Sequence, residues 1–150
     1  MATNMVFRNE DKDNRVQVLA ATYAPGVPVI SLDSLPAVTL TGSGDYTITD
    51  STTYAPITLT AIPAGGIGLT GKEVTLAFNG TWEFDATTGF DGAANPVPTT
   101  IANGTAINFT SATGLLTTDA VAAGVVAWGT VDFPTDYDKT RGFVPVKIGA

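Results

Sequence analysis

In Ile57-Thr58-Leu59-Thr60, and again in Val74-Thr75-Leu76-Ala77-Phe78, large apolar side chains alternate with small ones. A period of two puts one face of a β-strand in a core and leaves the other for solvent. Runs of this kind recur along the chain, and Gly, Pro and Asn interrupt them before any reaches helix length. The candidate strands are Val16 to Ala20, Val27 to Leu32, Ala37 to Thr41, Asp45 to Thr49, Ile57 to Ile62, Glu73 to Asn79, Thr81 to Phe84, Thr105 to Thr110, Val125 to Phe133 and Phe143 to Ile148. An all-β or mainly β fold is expected. Asn79-Gly80, set between two such runs, predicts a hairpin that pairs Glu73 to Phe78 with Thr81 to Phe84. One short helix is expected, capped by Thr118-Asp119, running through Ala120 to Ala123 and ended by Gly124. Gly89 to Asn103, punctuated by Pro96 and Pro98, reads as an exposed loop. The run Pro63-Ala64-Gly65-Gly66-Ile67-Gly68 lacks the Gly-Lys-Thr/Ser ending of a phosphate-binding loop and reads as a loop as well.

Several chemistries are closed by composition. The 150 residues contain no cysteine and no histidine, which removes disulfides, thiolate and imidazole nucleophile systems, and the usual zinc ligands. Net charge is −7, and between Val16 and Asp138 eleven acids face one base, Lys72, so this stretch has almost nothing to neutralise phosphates; nucleic-acid binding is not expected. Charged residues make up 14% of the chain against an average of about 25%, so its surface is poor in charge and suited to meeting another surface. No window approaches eighteen apolar residues, and Met1 to Asp13 has no apolar signal region, so no membrane span is expected and synthesis in a cytoplasm is. The length fits one domain.

The remaining bases sit at the ends. Arg8, Lys12 and Arg15 lie in the first fifteen residues, and Lys139, Arg141 and Lys147 in the last twelve. Residues 1–15 are polar apart from Met5-Val6-Phe7, and the body, residues 16–150, begins at Val16. The first segment is either a disordered tail or an extended arm that orders on a neighbour, with Val6 and Phe7 as apolar anchors and Arg8, Lys12 and Arg15 facing negative charge. Strand addition to a sheet edge is the natural mode for such an arm.

Gly80-Thr81-Trp82-Glu83-Phe84-Asp85 raises the one catalytic possibility. Glu83 and Asp85, two apart on a strand, are about 7 Å from each other at about 3.3 Å per residue, inside the roughly 6.5–9.5 Å window of inverting glycosidases. Such an enzyme also needs a ring-lined groove and one carboxyl raised by burial, so the pair is expected to be the wet face of a strand and the protein not to be an enzyme. Trp82 and Phe84 share the other face. With Trp128 and Phe133 they are candidates for core or subunit interface. Asp136 and Asp138 are too sparse for a calcium loop, and no metal or cofactor is expected.

The order of features resembles the tailed-phage capsid cement, or head decoration, proteins. The similarity is carried by Met1-Ala2-Thr3-Asn4 followed by Val6, Val16-Gln17-Val18, Pro25 to Val29, Leu69 to Gly89, Gly104 to Val131 and the closing Gly142-Phe143-Val144-Pro145-Val146-Lys147-Ile148. The stretch Thr39 to Thr60 is longer than that pattern, and Asn103-Gly104-Thr105-Ala106 replaces a Gly-Asp turn. The resemblance implies a small barrel-like or β-tulip domain on the outer surface of an assembled virion capsid. There it would clamp neighbouring major capsid protein subunits, bind its own copies as a homotrimer or a dimer, and catalyse nothing. An immunoglobulin-like or carbohydrate-binding adhesion module is the alternative that strand spacing and the aromatic residues leave open.

Overall fold

The computed structural model describes residues 2–7, 14–19, 21, 23–40, 45–50, 57–63, 73–92 and 95–149, with the backbone alone at 2–7, 14, 16, 18, 45–50, 57–63 and 73. Among them run β1 (Ala2–Phe7), β2 (Asn14–Val18), β3 (Pro28–Ile30), β4 (Pro36–Thr39), β5 (Asp45–Asp50), β6 (Ile57–Pro63), β7 (Glu73–Ala77), β8 (Gly80–Asp85), β9 (Ala106–Thr110), β10 (Leu115–Thr117), β11 (Val125–Val131) and β12 (Phe143–Ile148). The fold is mainly β and barrel-like, a curled half-barrel sheet with a second sheet. The first sheet has the order β1-β8-β12-β11-β9-β10, the second β2-β7-β4-β3, and β5 pairs with β6. Every pairing between these strands is antiparallel.

Alternation builds the core as expected. Trp82 and Phe84 of β8 lie beside Val146 and Val144 of β12, their register partners, and join Ile107, Phe109, Leu116, Trp128 and Val131 on one face of the first sheet. Val38 of β4 and Ala77 of β7 close this cluster from the second sheet. Phe84 and Trp128 meet edge to face, 5.4 Å between centroids at 83°, and the indole Nε1 of Trp128 donates across to the Val29 carbonyl at 3.2 Å. A smaller cluster, Leu19, Val29, Ala37, Val74, Leu76 and Phe78, occupies the other face of the second sheet.

Three expectations are corrected. β7 and β8 do not form a hairpin: β7 sits between β2 and β4, β8 between β1 and β12, so each is an interior strand whose two edges are taken by others. Asn79-Gly80 is a corner between sheets. The run Thr118 to Gly124 is not a helix. The Asp119 amide bonds the Thr117 hydroxyl, the Asp119 carbonyl accepts from Asn108 Nδ2 at 2.6 Å, and Ala122 bridges Val125 across a reversal in which Gly124 takes φ 80°. The single helical turn among the described residues is a 3-10 turn at Lys139–Arg141, capped by Asp138. Gly89 to Asn103 is not wholly exposed, because Phe90 is buried at 1% and bridges Leu116.

The segment set apart as an arm enters both sheets. Residues 2–7 pair with β8 and residues 14–18 with β7. Residues 8–13, with Arg8 and Lys12, lie outside the described residues, as do most of the Gly-rich run and its neighbours, 64–72.

Gly129 marks the tightest approach in the first sheet. A Cβ there would stand 2.5 Å from the Lys147 carbonyl oxygen and 3.0 Å from Val146 Cγ1. Backbone cannot yield as a side-chain tip can, so Gly129→Ala is expected to destabilise the fold by about 1–3 kcal/mol. Thermal denaturation followed by circular dichroism would register the loss, and an unchanged midpoint would contradict this account of the β11–β12 contact.

Candidate functional site

β8 is buried on both faces. Trp82 and Phe84 face the core, while Thr81 and Glu83 on the opposite face are only 1% and 3% exposed. The expected wet face is therefore dry at Glu83. Its cover is the excursion from Asp132 to Gly142 between β11 and β12, which folds back over the outer face of the sheet. Thr81 Oγ1 donates to Asp132 Oδ2 at 3.0 Å. The Tyr137 hydroxyl donates to Glu83 Oε1 at 2.7 Å, and Arg141 Nη1 reaches the same oxygen at 3.2 Å. A buried carboxylate is tolerated only where donors replace water. Arg141 is still half in water, so screening reduces its share of the pair below what a fully buried bridge carries.

Rings and cations extend the cluster. Arg141 Cζ lies 5.9 Å from the Tyr137 ring centroid and 5.7 Å from that of Phe143, and Lys139 Nζ stands 4.1 Å over Phe133. Phe133 packs on Tyr137 at 5.3 Å, and the Phe133 backbone is held from both sides by Asn103, whose Oδ1 accepts at 2.8 Å and whose Nδ2 donates at 3.1 Å. Lys139 and Arg141 thus lie against rings of their own chain.

The other candidate acids serve turns. Asp85 accepts from the Thr87 hydroxyl and amide at 2.5 and 2.8 Å and from the Thr88 amide at 3.2 Å. The Thr87 bonds hold its carboxyl below the ordinary aspartate range. A general acid needs the opposite shift, so Asp85 is not placed to be the acid of such a pair. Asp138 is likewise lowered by the Thr140 hydroxyl and amide that it caps, and Asp136 takes a left-handed backbone, φ 64°, in the preceding turn.

Of the residues expected at an interface, Trp82, Phe84, Trp128 and Phe133 are 6%, 0%, 3% and 7% exposed, so all four belong to the core of their own chain. Neither tryptophan offers a face for stacking on a sugar. Arg15 lies 3.5 Å from Asp33 and over the Phe78 ring at 5.2 Å. Val6 and Phe7 are positions of β1 described by backbone only.

An apolar surface lies elsewhere. From Ala120 to Ala127 the chain carries no polar side chain, and every one of these residues except Val125 is exposed, Val121 at 62% and Val126 at 39%. Next along β11, Ala127, Trp128 and Gly129 line a shallow depression of about 290 Å³ at the seam of the two sheets, with Pro36, Lys147 and Ile148 on its other walls. Leu35, beside Pro36, is 45% exposed. Sequence reading missed this surface by assigning Ala120 to Ala123 to a helix. The available signal was that such a helix would be apolar all round, without the polar face that a surface helix needs.

Tyr137 provides a test of the clamp on Glu83. Burial first, then the hydrogen bond to Glu83, raises the phenol above its ordinary value of about 10. A group raised in the folded state lends stability fully below its unfolded value and loses it as pH climbs toward the folded one, so the clamp is expected to weaken from about pH 10 upward. Tyr137→Phe should lower stability at pH 7 and flatten that alkaline decline relative to the parent. Denaturant unfolding of both proteins from pH 7 to 11.5 would show it, and parallel curves would exclude a coupled Tyr137.

No protein-family model, curated protein sequence or solved structure matches the chain.

Proposed function

We propose that the protein is a structural virion component that coats the outer surface of an assembled phage capsid and clamps neighbouring major capsid protein subunits. The observation that carries the proposal is the exposed apolar hairpin Ala120 to Ala127, continued into the depression beside Leu35 and Pro36. Solvent-exposed apolar runs of this kind, on a scaffold otherwise buried in the ordinary way, mark surfaces made to be covered. The sequence order shared with capsid cement proteins supports the same reading. So does the use of the prominent carboxylates in turns and in the clamp under Asp132 to Gly142, which favours a binding role over a catalytic one. In this reading the hairpin and depression dock on the shell, and the β sheets supply a stiff platform.

Purified protein mixed with empty heads of the virus that carries the gene should co-sediment at a fixed, saturable ratio. Replacing Val121 and Val126 by Asp removes two apolar contacts worth roughly 1.5–3 kcal/mol each when fully buried, so binding should weaken by at least about tenfold with the β circular dichroism unchanged. Equal binding by Val121→Asp/Val126→Asp would reject this docking surface, and no co-sedimentation of the parent would reject the capsid reading.

A further inference from the structure

β1 belongs to its sheet through one neighbour, β8. On the other side of β8, β12 is in unbroken register over six pairs, from Phe143↔Asp85 to Ile148↔Gly80. β1 is held differently. Its pairs Ala2↔Phe84, Met5↔Trp82 and Phe7↔Thr81 are separated by two register shifts. The next strand, β2, lies in the second sheet, so β1 is tied to the first sheet by pairing and not by any hairpin. The six residues 8–13 between them span up to roughly 20 Å at about 3.3–3.6 Å per residue.

We propose that β1 is exchanged between copies: the edge of β8 in one protomer takes Ala2–Phe7 of a second copy, and that strand is the oligomer contact. The occupant follows from identity of sequence. An edge that pairs with β1 of its own chain pairs with β1 of another copy through the same hydrogen bonds, so exchange leaves the bond count of each sheet unchanged. What differs is only the effective concentration of the strand, which neighbours held side by side make comparable to that of the tethered one. The edge also requires an occupant. β8 is interior and buried on both faces, so without β1 its outward amides and carbonyls would be stranded next to a dry core. The strand itself adds no net charge to the contact: residues 1–15 hold three bases, Arg8, Lys12 and Arg15, and three acids, Glu10, Asp11 and Asp13.

The absence of cysteine makes the test direct. Phe7→Cys and Thr81→Cys chains, differently tagged, are unfolded together at equal amounts, refolded at high concentration and oxidised. Exchange should give a covalent heterodimer joined through positions 7 and 81, exceeding either homodimer on a non-reducing gel. The doubly substituted chain, oxidised at high dilution, should close the same bond within one molecule. Internal closure without heterodimer overturns exchange, and failure of the double variant to close overturns the pairing on which it rests. Should either cysteine chain not fold, a labelled peptide of residues 1–8 is added to the unmodified protein. Binding that is lost in the Met5→Pro peptide, which lacks a ladder donor, supports a strand-accepting edge; equal binding or none overturns it.

Discussion

Trp128 fastens the two sheets. Its ring meets that of Phe84 on β8 edge to face in the core of the first sheet, and its Nε1 reaches the Val29 carbonyl on β3, an edge strand of the second. The position depends on a break in β11, whose pairing with β9 shifts register between Ala127 and Gly129. One extra residue is accommodated there, and the one that turns inward is a tryptophan. Gly129 follows because the Lys147 carbonyl comes too close for a Cβ. Deleting a buried indole typically costs about 3–5 kcal/mol, several times the roughly 1 kcal/mol of one hydrogen bond. The ring therefore supplies most of the adhesion, and the Nε1 bond fixes where β3 sits.

A second constraint comes from β8. A strand with sheet neighbours on both edges and cover on both faces has no water to offer the carboxylate at its centre. Glu83 must be met by donors, and these come from Tyr137 and Arg141 on the excursion after β11. The clamp explains why the eleven residues between Val131 and Phe143 do not hang free as an ordinary long loop would: Asp132 is tied to Thr81, Phe133 to Asn103, and Tyr137 and Arg141 to Glu83. Both donors meet Glu83 on the same oxygen, Oε1.

Period-two alternation was a dependable guide to where strands lie. Phe143 to Ile148 has the same bounds in sequence and in structure, and Ile57 to Ile62 and Ala37 to Thr41 differ only at their ends. Parity correctly put Trp82 and Phe84 on one side, but it says which side chains share a face and nothing about whether the other face is wet. What covers Glu83 comes from residues about fifty positions away. Asn79-Gly80 failed for a related reason: a turn-forming dipeptide permits a reversal, and only the competition for strand edges decides between hairpin and corner. Ala120 to Ala123 misled because alanine favours a helix locally, while Asn108 and Thr117 hold Asp119 in a reversal. β10, three residues long, carries too little pattern to be read, and β1, with its large apolar residues only at one end, was legible only as an arm able to add to a sheet edge.

The proposed docking and the proposed strand exchange fit one energetic argument. Lys139 and Arg141 are spent on rings and a carboxylate of their own chain, so in the proposed docking recognition would rest on Val121, Val126 and Leu35 together with the depression lined by Pro36 and Ala127 to Gly129. Three such side chains contribute roughly 1.5–3 kcal/mol each when covered, against an association cost of about 4–15 kcal/mol. A lone copy held by that surface would bind weakly. Copies joined through β1 would present several such surfaces at fixed spacing, and each after the first would bind at the effective concentration set by its neighbours. A surface too small to hold one molecule can then hold an array, provided the linkage between copies is backbone pairing and does not draw on the apolar face that the shell would need.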